Sequence, residues 1–286
     1  MGIDINFDFT TDTPLFWNNF WNSDSILGNA GNDPDSKSET LRLYQQKLWS
    51  KPLPNGEYME LALGKGNDYL TWKNFCFGSD SIIVSFRYHK YRKILEEVSL
   101  AIPNYHLFME TFLRKAYTIG GEIIFPKMKG GINQSRGCNI KIKDRWDLTL
   151  ECIRLYYLGK VSPLSEVLNA NKEFFDLFVD FKGYVNFFYL QDCVSEDYKE
   201  VTFWLEHNEF VPNPLPQNCD EYLLWIQRQL QFVKMRNERI HKMSSSEAAI
   251  KAKHFGAAAN TQRLAAMEAE TYKITNNVTN EKTIDF

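Results

Sequence analysis

Gly121-Glu-Ile-Ile-Phe-Pro126 is the stretch that decides the fold class of this 286-residue chain. Its β-branched and aromatic residues lie between glycine and proline, which is typical of a short strand. Helical patterns flank it, since residues 88–100 and 105–117 precede it and the helical period dominates from Asp147 onward. A strand enclosed by helices predicts an α+β protein.

The partners of this strand are expected between residues 57 and 86, where the chain looks extended. Ser81-Ile-Ile-Val-Ser-Phe86 is a short β-branched run and predicts a further strand. These segments predict a small antiparallel or mixed sheet in the N-terminal half. The C-terminal half is expected to be helical, with a long helix from about Asp220 to His241.

Three segments differ in composition: an N-terminal arm (1–38), a body (39–243) and a C-terminal helix with a tail (244–286). The arm is polar and rich in turns, but carries aromatic clusters that we expect to dock onto the body. The tail is expected to form an Ala-rich helix, an appendage whose thin apolar face can pack on a neighbour. The side chains expected to make interactions are Trp17, Trp21, Ile250, Ala257, Leu264 and Met267.

Composition excludes several classes of protein. The net charge of −3 does not resemble the basic surface of a protein that coats nucleic acid. The five cysteines form no CxxC pair, so free thiols are expected, with no metal and no cofactor. No signal peptide and no stretch long enough for a membrane helix is recognisable, so a soluble, cytoplasmic protein without a membrane partner is expected.

One helical motif suggests catalysis. Arg236-Asn-Glu-Arg-Ile-His241 matches the Arg-Asn-x-x-x-His form found in HEPN ribonucleases, to which this segment is similar. The resemblance implies a catalytic set of Arg236, Asn237 and His241, with arginine on the phosphate and histidine moving protons. The alternative is a solvated helix end, where cations are favoured by the helix dipole. Nucleic acid is an expected partner only under the ribonuclease hypothesis.

The loop of residues 127–137 suggests an anion site. It combines three cations, Lys127, Lys129 and Arg136, with glycines and amide side chains. Exposed backbone N–H groups can hold a phosphate, and an arginine can bind it with two hydrogen bonds. The alternative is a surface loop held by ion pairs to Asp144 and Arg145.

Asp147 and Glu151 lie four residues apart on one predicted helix face and could bind a divalent metal with a further ligand. The alternative, which we favour, is that they pair with Arg145 and Arg154. The sequence therefore predicts no metal site.

Several stretches together resemble an uncharacterised family of bacterial and prophage proteins, a domain of unknown function. The resemblance covers about residues 5–241, so the Ala-rich tail departs from it. These stretches are 68–75, 78–83, 86–88, 119–126, 132–137, 144–154 and 178–184.

The resemblance implies a role in conflict between phages and bacteria. The first expectation is a non-catalytic interaction protein, such as a phage-encoded inhibitor that binds a host defence complex. A protein partner, either a host protein or a second copy in a homo-oligomer, follows from that expectation. The alternatives are the ribonuclease, acting as an abortive-infection toxin, and a phosphate- or nucleotide-binding enzyme that uses the 127–137 loop.

Overall fold

The computed structural model describes residues 2–21, 26–27, 33–65, 69–87, 91–127, 131–137, 141–203, 210 and 216–243. The chain divides into two compact units, residues 1–240 and residues 241–286. Of the second unit only residues 241–243 are described, and they are helical. All elements discussed below in detail belong to the first unit.

The first unit is an α+β structure, as predicted. Its described strands form a four-stranded antiparallel sheet in the order β1-β2-β3-β4, so the alternative of a mixed sheet is excluded for these residues. β3 and β4 pair from Phe77 opposite Pro126 to Ser81 opposite Glu122. The strands are β1 (Ala62–Leu63), β2 (Leu70–Trp72), β3 (Phe75–Ser81) and β4 (Glu122–Pro126).

Helices make up most of the described residues after β4. The last described helix, α11, covers residues 219–243 and agrees with the predicted long helix. The others are α1 (Phe16–Phe20), α2 (Pro34–Lys37), α3 (Glu39–Trp49), α4 (Arg92–Ala101), α5 (Tyr105–Ala116), α6 (Ile132–Gly137), α7 (Trp146–Tyr157), α8 (Ser165–Ala170), α9 (Lys172–Asp176) and α10 (Phe181–Phe187).

The sequence offers Ser38 or Thr40 as the cap of the helix that ends at Trp49, and in the structure Ser38 is the N-cap of α3. Its hydroxyl oxygen accepts a hydrogen bond from the backbone N–H of Leu41 at 3.0 Å, which is the standard N-cap contact. The same hydroxyl donates to Asp12 at 2.6 Å, so a residue of the N-terminal segment helps to fix the start of this helix.

The prediction of a strand at Ser81–Phe86 is wrong, because the third strand ends at Ser81. Beyond Ser81, the backbone of Val84 forms hydrogen bonds with side chains of α11, and not with the backbone of a neighbouring strand. Gln229 accepts from the Val84 N–H at 2.6 Å and donates to its carbonyl at 2.7 Å. Trp225 donates to the same carbonyl at 3.1 Å.

Aromatic rings fill the core. Phe9, Phe16 and Phe20 from the N-terminal segment are buried in it, so this segment contributes to the core as well as to the surface. At the other end of the unit, the Trp49 ring lies 5.0 Å from that of Phe188. Within the described part of the chain, no helix has the length and apolar character needed to cross a membrane.

Candidate functional site

A cavity of about 330 Å³ lies beside the β3–β4 pair. Four parts of the chain form its wall: the first turn of α2, the start of β2, the facing residues of β3 and β4, and the start of α6. Its lining residues are Asp35, Ser36, Tyr69, Gly78, Ser79, Phe125, Pro126, Lys127, Gly131, Asn133 and Gln134.

The local sequence explains why space exists here. Gly78 lies opposite Phe125 in the β3–β4 ladder and has no side chain to fill the cavity. Among the described residues, a Cβ atom at Gly78 would contact the Asn133 amide nitrogen alone, at 4.0 Å. β4 ends with Pro126, which has no N–H for a ladder bond, and the Lys127 N–H beyond it donates to the Cys76 carbonyl oxygen of β3 at 2.6 Å.

Two buried polar atoms at the cavity wall have no hydrogen-bond partner among the described residues. They are the hydroxyl oxygen of Tyr69 and the side-chain oxygen of Asn133. An unsatisfied buried polar atom costs about 1–3 kcal/mol, so native structures contain few of them. Both residues line the cavity, but these two atoms are themselves buried.

A buried carboxyl group lies behind the wall. Ser79 receives a hydrogen bond from the Gln45 amide at 2.9 Å and donates to Glu122 at 3.4 Å. Glu122 is completely buried. Burial, and secondly the charge of Asp35, raises the pKa of the Glu122 carboxyl well above its ordinary value. The Arg236 charge opposes this rise.

Asp35 and Tyr69 share this environment. Burial is the main cause that raises the pKa of Asp35 well above its ordinary value, and Asp33 and Asp80 add to the shift. Burial, followed by the charge of Glu122, also raises the pKa of Tyr69 well above its ordinary value, while Ser79 opposes the rise. Burial therefore shifts both groups toward their neutral forms.

The two described cations of the predicted anion site, Lys127 and Arg136, have different surroundings. Lys127 is exposed and lines the cavity. Arg136 is buried and forms ion pairs with Asp80 and with Asp144, the second at 3.2 Å. Lys129 lies outside the described residues. Of the predicted cations in the described part of the loop, only Lys127 is exposed at the cavity.

The residues of the ribonuclease motif differ strongly in exposure. Arg236 is completely buried, and its guanidinium donates to the carbonyl oxygens of Phe188 at 3.1 Å, Gly120 at 2.9 Å and Glu122 at 2.8 Å. Its desolvation lowers the pKa of Arg236 to about 10. His241 is exposed and belongs to the second unit.

Asn237 is also used by the fold. Its side-chain oxygen accepts a hydrogen bond from the Gly120 N–H at 2.7 Å, and its amide donates to Thr118 at 2.8 Å. In this structure Arg236 and Asn237 therefore fasten α11 to the turn before β4. A phosphate could reach Arg236 only if these contacts opened.

The acidic pair on α7 is bound to neighbouring arginines. Asp147 accepts from Arg145, and Glu151 accepts from Arg154 at 2.7 Å through two hydrogen bonds. This is the alternative expected for these residues. The described part of the chain contains no group of three or more His, Cys, Asp or Glu side chains that could hold a metal ion.

The two tryptophans predicted to make interactions lie partly buried against the body. The Trp17 indole donates to Thr10 at 3.2 Å, and the Trp21 indole donates to Glu110 at 3.0 Å. The Trp21 ring also stacks on His106 with the ring centres 4.3 Å apart. The other predicted interaction residues, Ile250, Ala257, Leu264 and Met267, lie outside the described residues.

Sequence reasoning missed Asp35, Tyr69 and Glu122. The sequence could have marked Glu122 as a candidate site residue, because a carboxylate at the start of a buried apolar strand is unusual. No feature of the sequence marked Asp35 or Tyr69, since each lies in an ordinary turn-rich segment. Only the folding of the chain brings them to the cavity.

Fold and site together define an α+β protein with a small pocket of mixed polar and apolar lining beside an antiparallel sheet. The family model named DUF6994, a family of unknown function, matches residues 3–240. The chain belongs to this family, which confirms the resemblance to an uncharacterised domain, and the tail lies outside the match. No curated protein and no solved structure matches the chain.

Proposed function

We propose that this protein binds a small polar metabolite in the cavity beside β3 and β4. The observation that carries the proposal is the cavity of about 330 Å³ itself, which residues from separate parts of the chain line with both apolar and polar side chains.

The size and the lining support a small ligand. The volume of about 330 Å³ is at the lower end of the ~300–1,000 Å³ that is typical of ligand pockets. The wall combines apolar surface from Phe125 and Pro126 with a few polar groups, which is the usual composition of such sites. Lys127 is exposed at the same cavity and adds a cation for an acidic group on the ligand.

A blocking variant tests the proposal. In Gly78→Val the new side chain occupies the cavity, and a β-branched residue suits the strand that contains it. Thr71→Val, on the neighbouring strand and outside the cavity lining, is the matched control. A metabolite panel is screened by thermal shift on the full chain, because a ligand that binds the native state raises the midpoint.

The expected result is a ligand that raises the midpoint of the wild type and of Thr71→Val, but not of Gly78→Val. A panel in which no compound raises the wild-type midpoint would overturn the proposal. So would a ligand that stabilises all three proteins equally, since it binds elsewhere.

A second proposal is an interaction role in conflict between phages and bacteria, with a homo-oligomer or a host protein as partner in the cytoplasm. The aromatic share of 15% supports it, because aromatic side chains are enriched at protein interfaces. Native mass measurement of the full chain and of a chain lacking residues 244–286 tests it. A monomer that retains no host protein in either form contradicts it.

A ribonuclease role for Arg236 and His241 is the weakest of these proposals. It requires Arg236 to release three backbone carbonyl groups before it can bind a phosphate.

A further inference from the structure

Four carboxyl groups influence one another at the cavity and behind its wall. Burial raises the pKa of each of them, and in three of the four the charge of an arginine opposes the rise. The fourth carboxyl is that of Asp35, which forms no ion pair with any described residue. The three carboxyls with an arginine are Asp33 with Arg87, Asp80 with Arg136 and Glu122 with Arg236.

Asp35 is also the member of this group that lines the cavity. It lies in the first turn of α2 and is partly exposed, whereas Glu122 is completely buried. The carboxyl that lacks a cationic partner is therefore the one beside the space that a ligand would fill. A positive charge in the cavity would offset the repulsion that Asp33 and Asp80 exert on Asp35.

The rest of the wall suits an organic cation better than a metal ion. A divalent metal ion takes several oxygen ligands, and the described residues offer no group of three acidic, histidine or cysteine side chains. A primary ammonium group can be held by one carboxylate together with neutral polar groups, such as the side chains of Ser36 and Gln134 in the same wall. Phe125 and Pro126 provide apolar surface for a carbon skeleton.

We propose that the cavity takes a small ligand with a primary ammonium group, and that this group forms an ion pair with Asp35. This inference rests on the proposed function, because it names the chemical class of the small metabolite. Hydrogen bonds between an ammonium group and a carboxylate are about twice as strong as neutral ones, so this contact contributes strongly to affinity.

Two kinds of metabolite carry this group: free α-amino acids and aliphatic diamines. Lys127 is exposed at the same cavity, so the charged side chains of the described wall are one carboxylate and one ammonium group. A zwitterion is complementary to this pair, and the wall therefore favours an amino acid over a diamine. Inorganic phosphate matches less well, because the carboxyl groups repel it.

The ion pair requires the ionised form of Asp35. Burial, followed by the charges of Asp33 and Asp80, raises the pKa of this carboxyl well above its ordinary value. Acidification therefore converts Asp35 to its neutral form, and the affinity for an ammonium ligand should fall as the pH is lowered from about 8 to about 5. The titratable groups around Asp35 are Asp33, Tyr69, Asp80, Tyr117, Glu122 and, at the cavity, Lys127.

The test is calorimetric titration of the full chain with free α-amino acids, with putrescine and cadaverine, and with inorganic phosphate. Asp35→Asn removes the charge and keeps the size of the side chain. Asp220→Asn is the matched control, because Asp220 is exposed at the start of α11 and does not line the cavity. The N-acetylated form of each ligand that binds tests the ammonium group on the wild type itself.

The expected result is that at least one amino acid or diamine binds the wild type and Asp220→Asn equally. Asp35→Asn should weaken this binding by at least about tenfold, the effect of one lost charge-assisted hydrogen bond. N-acetylation of the ligand should weaken binding to the wild type by at least as much, and Gly78→Val should abolish it. Binding of amino acids without diamines would identify a zwitterion as the ligand.

The failures of the two proposals are distinguishable. If the metabolite panel yields a ligand without an amine, Gly78→Val abolishes its binding and no amine binds, the ammonium inference is overturned while the proposed function stands. Amine binding that Asp35→Asn or N-acetylation leaves unchanged also overturns the inference, as does an affinity that increases on acidification. If no compound in this set or in the metabolite panel binds, both proposals fail.

Discussion

The guanidinium of Arg236 donates a hydrogen bond to the backbone carbonyl oxygen of Gly120 at 2.9 Å. Because Asn237 accepts from the N–H of the same glycine at 2.7 Å, both polar groups of Gly120 are bound by neighbouring residues of α11. A Cβ atom at Gly120 would lie 2.5 Å from the Val233 carbonyl oxygen, so only glycine permits this close approach. The helix and the turn before β4 are therefore one buried hydrogen-bonded unit.

Replacement of Arg236 by methionine is expected to lower the free energy of unfolding by about 3 kcal/mol. Methionine fills much of the volume, but it leaves the carbonyl oxygens of Phe188, Gly120 and Glu122 without their donor. The measurement is urea unfolding followed by tryptophan fluorescence, with the slope and the midpoint both fitted.

His241→Ala is the matched control for the ribonuclease motif, because His241 is exposed. It should change stability by no more than about 0.5 kcal/mol. RNA cleavage is assayed for the same proteins. One combination of results would contradict the structural role assigned to Arg236 and support the ribonuclease hypothesis. In that case the wild type cleaves RNA, both variants lose cleavage, and Arg236→Met still unfolds at the wild-type urea midpoint.

Gly121 also depends on close packing. A Cβ atom there would lie 1.9 Å from the Ala116 carbonyl oxygen, so Gly121→Ala must displace backbone. The expected loss of stability is about 2 kcal/mol or more, as for other overpacked sites. Gly2→Ala is the control, since a Cβ atom at Gly2 meets nothing within 4 Å. Equal unfolding midpoints for the two variants would contradict this account of the turn.

The sequence predicted the elements whose signals are local. The Ser38 cap, the paired helices α4 and α5, and strand β4 all agree with their patterns of caps, prolines and periodicity. The error at Ser81–Phe86 has a tertiary cause, because a β-branched run identifies a buried extended segment but not its hydrogen-bond partner. The partner is Gln229, which lies 145 residues away from Val84 along the chain.

Gln229→Leu is expected to destabilise the protein by about 2 kcal/mol. The change leaves the Val84 N–H unpaired and removes one of the two donors to the Val84 carbonyl, while the hydrogen bond from Trp225 remains. Urea unfolding measures the loss, and Gln227→Leu, on the exposed side of the same helix, is the control. A loss of less than about 0.5 kcal/mol would show that the contact with Gln229 is dispensable.

The candidate site could be predicted only in part. The loop of residues 127–137 was recognisable from its cations, glycines and amides, and Lys127 and Asn133 do line the cavity. The role of Arg136 could not be predicted, because its partner Asp80 lies 56 residues away on β3. Asp35 and Tyr69 reach the cavity from distant segments, and no spacing rule connects them to α6.

Glu122 provides a prediction of pH dependence. Its pKa is raised in the folded protein from an ordinary value of 4.5, so in the window above pH 4.5 the folded state holds more protons than the unfolded state. Stability from this group is therefore fully present below that pH and is lost as the pH rises through the folded pKa. Glu122→Gln removes the titration and keeps the shape of the side chain.

The unfolding free energy of Glu122→Gln should therefore rise relative to the wild type as the pH increases from 4.5 to 8. The difference grows by up to about 1.4 kcal/mol per pH unit until the folded pKa is passed. Urea unfolding at several pH values measures it. Glu173→Gln, at an exposed position in α9, controls for the loss of a negative charge and should follow the wild type at every pH. A constant difference between Glu122→Gln and the wild type would mean that Glu122 ionises normally in the folded protein, and the buried carboxyl behind Ser79 would then be charged.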